Sequence, residues 1–139
     1  MTDTKEKAEA VVSKRRTAYL TSIDSNGFPV TRAMLAPRKR EGLKVFYMTT
    51  NTSSSKVSHF QKNSKACLYF CEPSKFKGVE FIGNVDVLQD PASKEMIWQE
   101  GDTMYYPKGV TDPDYAVIRF TAVSGRMYEN FSVSEFSAE

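Results

Sequence analysis

The chain has 139 residues, and its 19 Lys and Arg side chains are nearly balanced by 17 Asp and Glu. A chain of this length buries roughly two thirds of its surface, so we expect residues 1–139 to fold as one domain without disulfides or a structural metal. No apolar run reaches the ~20 residues of a membrane span and the charged N-terminus does not look like a signal peptide, which together favour a cytoplasmic protein.

The single histidine, His59, excludes several kinds of chemistry. Zinc and di-iron sites built on histidine lack ligands, and a serine–histidine–aspartate triad would depend on His59 alone. The short helical stretch around His59 is polar, which favours a solvated surface histidine. Cys67 and Cys71 lie in an apolar run. As residues of one strand they would share a face and stand ~13 Å apart, too far to bridge each other, so we expect buried thiols.

The hydrophobic pattern predicts mostly strands after an initial helix. Residues 4–14 have apolar side chains at helical spacing, so the N-terminal residues 1–16 are expected to form a helix packed on the rest of the domain. Turn signals then separate runs with the period of strands. These predicted strands cover residues 17–23, 29–36, 43–49, 66–71, 79–88 and 115–121, with a further short one at 126–128.

Two more short helices are predicted between the strands, at residues 56–61 and from Pro91, behind an Asp90 cap, to Trp98. The first three strands follow one another through short connections, which predicts an antiparallel meander. The strand at 79–88 is long enough to bend at Gly83.

Six or seven strands with only three short helices exclude a doubly wound parallel sheet, because the crossover helices are missing. The pattern predicts a mainly β protein, a closed or split antiparallel β-barrel with short helices. Side chains fill the interior of so small a barrel, so a ligand would bind on its outside or between two subunits.

The charges are distributed unevenly along the chain. Residues 1–65 carry 13 basic and 5 acidic side chains, whereas residues 66–139 carry 6 basic and 12 acidic ones. Any site for an anion is therefore expected in the first half. The basic runs at residues 14–16 and 38–40, the second beginning with Arg38, are interpreted as solvated charges at a helix end and a hairpin tip.

The stretch from Thr49 to Lys56 suits a phosphate group. Neither a GxGxxG nor a GxxxxGK[ST] motif is present. Here a strand ends in hydroxyl side chains, the next helix begins with free backbone N–H groups, and Lys56 lies in its first turn. Serine and threonine before a helix also serve as simple caps, so the motif by itself leaves both interpretations open.

Arg32, in the second predicted strand, adds another cation. A solvated arginine on the outer face is the plain alternative. In a meander, however, the second strand lies beside the third, which would bring Arg32 near Thr49 and Lys56. Two cations and several hydroxyls around one point exceed what a helix cap requires.

Four segments occur in a characteristic order from about Ala18 to Phe120. They are AYLTSIDSNGFPVTRAM, VFYMTTNTSSSKVSHFQKN, GVEFIGNVDVLQDP, and Trp98 followed by YYPKGVTDPDYAVIRF. In this order the chain resembles the FMN-binding split barrels related to pyridoxamine 5′-phosphate oxidase, and most closely their general stress protein 26-like branch. The resemblance implies a six-stranded antiparallel split β-barrel that forms a homodimer, with FMN in the clefts between the subunits.

The resemblance also implies the function and the residues of the site. It implies an oxidoreductase in which FMN passes electrons or hydride from a reduced donor to a small acceptor. The residues that match the family's phosphate site are Arg32, Lys56, Thr49, Thr50, Ser54 and Ser55, with the backbone of Ala33, Met34 and Leu35 facing the flavin ring. Trp98, Tyr105 and Tyr106 are candidates for an aromatic face supplied by the partner subunit, although packing in the core is the usual role of such residues.

The chain departs from the larger oxidases at two places. Those enzymes often carry arginine at the position of Ser55, and they end in a segment with Arg and His that holds the substrate phosphate. This sequence has no histidine after His59. We therefore do not expect it to oxidise vitamin B6 phosphates.

Other functions remain open at the level of the sequence. One is a flavin holder or redox-sensing stress protein without turnover, and another is a deazaflavin or haem binder, the latter dependent on His59. A barrel that binds single-stranded nucleic acid is disfavoured, because Phe46, Tyr47, Tyr69 and Phe70 alternate with apolar rather than basic residues. No metal, nucleic-acid or membrane partner is expected.

Overall fold

The computed structural model describes residues 2–138, which contain eight strands and three α-helices. The strands are β1 (Thr17–Ile23), β2 (Pro29–Leu35), β3 (Lys39–Glu41), β4 (Val45–Asn51), β5 (Lys65–Glu72), β6 (Lys77–Leu88), β7 (Tyr115–Glu129) and β8 (Ser132–Ser137). The helices are α1 (Thr2–Ser13), α2 (Ser55–Lys62) and α3 (Pro91–Ile97), and single 3-10 turns lie at Pro73–Lys75 and Asp102–Met104. No helix within residues 2–138 has both the length and the hydropathy that crossing a membrane requires.

The strands form one curled antiparallel sheet in the order β2-β1-β5-β6-β7-β4-β3. The long strand β7 pairs with β4 along its first half and with β8 along its second half. Strand β2, at one end of the sheet, comes into contact with β4, which precedes the short β3 at the other end, without pairing with it, and this leaves a split in the barrel. The predicted mainly β, split-barrel fold is therefore confirmed.

Three details of the prediction are wrong. The first three long strands are no meander, because β4 pairs with β7 and with the short β3 rather than with β2. The strands predicted at 115–121 and 126–128 are one continuous strand. The unpredicted strands β3 and β8 raise the count from six to eight. Only Phe136 of β8 is buried, so its sequence carries almost no alternating apolar signal.

Aromatic side chains fill the barrel. Phe46, Phe70, Phe81 and Phe120 are all fully buried, and the ring centres of Phe46 and Phe81 lie 5.0 Å apart. Helix α1 packs on β5, β6 and β8, and its Ala8, Val11 and Val12 belong to the same core. A fully packed interior places any ligand on the outside of the barrel.

The pairing of β6 is irregular at Gly83, the position at which the sequence predicted a bend. The pairing of β6 with β7 shifts register between Ile82 and Gly83. A Cβ atom on Gly83 would lie 2.1 Å from the carbonyl oxygen of Thr121, so only glycine fits this bulge.

Candidate functional site

Arg32 lies on the inner face of β2, beside the split in the barrel. Its Nη1 donates hydrogen bonds to Ser22 Oγ at 2.9 Å and to the backbone oxygen of Leu20 at 3.3 Å. The side chain is half-buried, and this burial lowers the pKa of Arg32. No carboxylate pairs with it anywhere in the part of the chain that the structure describes.

Lys56 lies in the first turn of α2 and is held by the helix cap. Ser54 is the N-cap, and its Oγ accepts hydrogen bonds from the backbone N–H of Lys56 at 3.4 Å and from Nζ at 2.8 Å. Burial lowers the pKa of Lys56, and the positive charge of Arg32 lowers it further. The two cations are therefore near enough to repel each other.

Arg32 and Lys56 together form a cationic site that the chain does not neutralise. Neither makes an ion pair with an acidic side chain among residues 2–138, although both are half-buried. The N-terminus of the eight-residue helix α2 adds its partial positive charge, with Ser55 exposed in the first turn. Like charges in this arrangement are stabilised when an anion lies between them.

The sequence interpretation missed Ser22 and was wrong about His59. Ser22 is fully buried, and its Oγ lies 2.7 Å from His59 Nδ1. His59 is thus half-buried and bonded to β1, rather than solvated. A serine at a core position of the alternating strand β1 was the signal that could have identified this contact.

The two threonines of the predicted site lie on opposite faces of β4. Thr49 faces outward and its side chain lies beside Tyr106. Thr50 faces inward, is 3% exposed, and its hydroxyl has no hydrogen-bond partner among the described residues. A buried hydroxyl without a partner costs about 1 to 3 kcal/mol, so Thr50 is a polar group that the isolated chain leaves unsatisfied.

Asp114 fixes the loop that leads into α2. Its carboxylate accepts hydrogen bonds from Asn51 Nδ2 at 2.8 Å, from the backbone N–H of Ser53 at 2.8 Å and from Thr52 Oγ1 at 3.0 Å. These bonds, above all the one from Asn51, lower the pKa of Asp114 to about 2. The sequence indicated only a turn at this position.

The low pKa of Asp114 predicts a specific acid sensitivity. Its pKa of about 2 in the folded protein lies below the ordinary value near ~3.9. The ionised carboxylate therefore stabilises the fold above about pH 4, and this contribution is lost as the pH falls from about 4 to about 2. In denaturant titrations across this range, Asp114→Asn should show a shallower fall in the free energy of unfolding than the parent. The exposed Glu100→Gln should keep the parent's slope, and equal slopes for Asp114→Asn and the parent would contradict the assignment.

Strand β2 presents a free edge next to Arg32. Among residues 2–138 it pairs only with β1, and the bonds from Asp24 N to Phe28 O and from Ala36 N to Arg16 O fix which residues face that partner. Since the pattern alternates, the N–H and C=O groups of Thr31, Ala33 and Leu35 point to the free edge. Of the three predicted ring-facing residues, Ala33 and Leu35 therefore offer their backbone, while the side chain of Met34 packs in the core.

The predicted aromatic residues pack together away from the two cations. Trp98, Tyr106 and Tyr115 form a cluster between α3 and the outer face of β4 and β7, with the ring centres of Tyr106 and Tyr115 4.7 Å apart. Burial raises the pKa of Tyr106, and it raises that of Tyr115 to about 12. Within one chain these rings are packing residues, whereas Tyr105 is half-exposed.

Arg38 is buried rather than solvated, which corrects the prediction for the second basic run. Its Nη2 donates to Asp102 Oδ1 at 2.8 Å, and its Nη1 donates to Asp102 Oδ2 and to the backbone oxygen of Ile97 at 3.1 Å. The two side chains are only 12% and 4% exposed. The hydrogen bonds between them raise the pKa of Arg38 and lower that of Asp102. Arg38 thus stabilises the segment after α3, while its neighbour Lys39 is exposed.

The two cysteines are free and lie outside the core. Both are half-buried on the outer face of β5, whereas the sequence predicted buried thiols. Burial raises the pKa of the Cys67 thiol to about 12, which makes it a poor nucleophile.

Comparison with known proteins agrees with this fold. A family model described as pyridoxamine 5′-phosphate oxidase matches residues 4–129. A solved structure from Clostridium acetobutylicum, of a protein related to general stress protein 26 of Bacillus subtilis, is 37% identical. It covers 97% of this chain and 94% of its own, with a TM-score of 0.89.

Two further solved structures share the fold at lower identity. General stress protein 26 from Bacillus anthracis is 19% identical over 96% of this chain and 98% of its own, with a TM-score of 0.76. A pyridoxamine 5′-phosphate oxidase-related, FMN-binding protein from Nostoc punctiforme is 15% identical over 97% and 94%, with a TM-score of 0.71. No curated protein matches the chain. The match to the family model and the relative at 37% identity show that the chain belongs to the pyridoxamine 5′-phosphate oxidase family of split barrels, in its general stress protein 26-like branch.

Proposed function

We propose that this protein binds FMN and is a flavin-dependent oxidoreductase. The observation that carries the proposal is the pair of half-buried cations, Arg32 and Lys56, which face each other with no acidic partner within residues 2–138. A terminal phosphate monoester supplies the missing negative charge. The relative from Nostoc punctiforme described as FMN-binding supports a flavin as the source of that phosphate.

The residues present fit a phosphate at this position. Arg32 and Lys56 would hold it by charge-assisted hydrogen bonds, with the hydroxyls of Ser54 and Ser55 and the N–H groups of the first turn of α2 as further donors. Thr49 and Thr50 lie near the end of β4, shortly before α2. Thr50 is the better candidate to contact a ligand, because its hydroxyl has no hydrogen-bond partner among the described residues.

The free edge of β2 fits the ring of a flavin. Ala33 and Leu35 present backbone donors and acceptors in an alternating row directly after Arg32. The edge of an isoalloxazine ring also carries alternating donors and acceptors, so the two edges are complementary. When bound, FMN would supply the electron or hydride transfer, while the chain binds the phosphate and orients the ring.

We further propose that the working form is a cytoplasmic homodimer. The barrel interior is packed, so the ring lies on the outside and needs a second wall. The outer faces of β1, β5 and β6 expose Tyr19, Tyr69 and Ile82, apolar groups suited to contact a second copy. In the dimer, the half-exposed Tyr105 and the neighbouring Trp98 are the candidates for the wall supplied by the partner. The free cysteines suit a reducing compartment.

The test is direct binding of flavin to the purified protein. We expect absorbance near ~450 nm, saturation at one FMN per chain in a fluorescence titration, and a dimeric mass in light scattering. Anaerobic bleaching of this absorbance by a reduced nicotinamide would establish the donor class, and pyridoxine phosphate should not be turned over. Binding of riboflavin as tight as that of FMN, or a haem band near ~400 nm in place of the flavin spectrum, would overturn the proposal.

A further inference from the structure

One buried hydroxyl connects the two elements that carry the cations. Ser22 Oγ, on β1, lies 2.9 Å from Arg32 Nη1 on β2 and 2.7 Å from His59 Nδ1 on α2. Ser22 itself is fully buried. A single side chain therefore joins β1, β2 and α2 at the split in the barrel.

The chemistry of these groups sets the direction of the bond to Arg32. A guanidinium only donates, so Ser22 Oγ accepts from Arg32. The serine hydroxyl keeps its proton and a second lone pair for the bond to His59 Nδ1, in which either group can be the donor. One buried side chain therefore serves both partners at once.

The bond to His59 also fixes the position of Lys56. The two residues lie three apart on α2 and so share a face of the helix. Attaching His59 to β1 therefore sets the distance of Lys56 from Arg32, which the Ser22 hydroxyl holds at the same time. In a site without a counter-ion, like charges would otherwise move apart.

We propose that Ser22 and His59 are positioning residues, which hold Arg32 and α2 in place for a phosphate that they do not themselves touch. This inference rests on the proposed function of the site. Fixing two long cationic side chains before the ligand arrives reduces the entropy lost on binding, so the gain appears as affinity for the phosphorylated flavin. The contribution of the flavin ring to the binding free energy does not depend on this positioning.

The test compares FMN and riboflavin binding in five variants of the full chain. Ser22→Ala removes both hydrogen bonds, and His59→Leu removes one. His59→Asn is the conservative rescue, because its side-chain amide can accept from the Ser22 hydroxyl or donate to it in place of the imidazole. Ser58→Ala is the matched control, an exposed serine on the same helix. Arg32→Ala reports on the phosphate site itself.

We expect Ser22→Ala and His59→Leu to weaken FMN binding by about five- to twenty-fold and riboflavin by less than about two-fold. His59→Asn should recover most of the FMN affinity, and Ser58→Ala should match the parent. A merely structural role would lower both affinities together with the melting temperature. A change in the ratio of the FMN affinity to the riboflavin affinity therefore distinguishes a positioning role from a general loss of structure. If Ser22→Ala does not fold, the pair His59→Leu and His59→Asn provides the same comparison.

The outcomes separate this inference from the proposed function. If Arg32→Ala weakens FMN selectively while Ser22→Ala and His59→Leu do not, the positioning role is wrong and the phosphate site stands. If Arg32→Ala affects both flavins equally or neither, the phosphate site itself is wrong, and the positioning role is wrong with it.

Discussion

Replacing Arg38 by alanine is expected to lower the free energy of unfolding by about 3 to 5 kcal/mol, because the Asp102 carboxylate would remain buried without its partner. The Asp102 carboxylate also accepts a hydrogen bond from the backbone N–H of Gln99. Leaving this carboxylate without Arg38 therefore destabilises the whole segment after α3. In a domain of this size the melting temperature should fall by about 10 to 20 °C. Thermal denaturation followed by circular dichroism measures this directly.

The adjacent Lys39 supplies the control for Arg38. It is exposed at the start of the short strand β3, directly after Arg38, so Lys39→Ala should change the free energy of unfolding by less than about 0.5 kcal/mol. Replacing both partners of the ion pair by apolar residues, Arg38→Met with Asp102→Leu, should cost less than Arg38→Ala alone. A loss in Arg38→Ala no larger than that in Lys39→Ala would show that the pair is not buried in solution.

The second large effect is expected at the phosphate site. Each charge-assisted hydrogen bond to phosphate is worth about 1.5 to 3 kcal/mol, so Arg32→Ala or Lys56→Ala should weaken FMN binding about ten- to a hundred-fold. The double variant should lose about a hundred- to ten-thousand-fold if the two contributions add. Removing one of two repelling cations also relieves the fold, so neither variant should melt lower than the parent by more than a few degrees.

Riboflavin and Lys39→Ala are the controls for this experiment. Riboflavin lacks the phosphate and should bind Lys56→Ala about as well as it binds the parent. Lys39→Ala removes a solvated cation and should leave the affinity for FMN unchanged. Equal losses for both flavins in Lys56→Ala would mean that the lysine serves the fold, and a marked effect of Lys39→Ala would point to a diffuse positive field instead of a specific site.

Local patterns were sufficient to predict most elements of the fold. The alternation in residues 17–23 and the turn at Asp24 predict the β1–β2 hairpin, and the Asp90–Pro91 cap predicts the start of α3. The partners of β4 could not be predicted, because pairing with β7 joins residues about 70 positions apart. Strand β8 escaped prediction because Phe136 is its only buried residue, so its sequence has no apolar alternation.

The sequence predicts that Arg32 and Lys56 lie close together, but for a reason that the structure contradicts. A meander would place β2 directly beside β4, and these two strands do not pair. Arg32 and Lys56 lie near each other instead because the curled sheet brings its end strand β2 into contact with β4, the strand next to its other end. The serine at a core position of β1 indicates that Ser22 needs a polar partner, but the sequence does not identify His59 as that partner or Asn51 as the partner of Asp114, since each hydrogen bond depends on a contact between distant segments.

The free edge of β2 has a consequence for the handling of the protein. The N–H and C=O groups of Thr31, Ala33 and Leu35 that point away from β1 are a template onto which another extended chain can add. Pro29 protects only the beginning of the strand against such pairing, and the exposed Leu35 places an apolar side chain at its other end. A ligand that lies along this edge would therefore also act as a shield against aggregation. Preparations from cells starved of riboflavin should accordingly lose protein to insoluble material, and FMN added during lysis should keep more of it in solution.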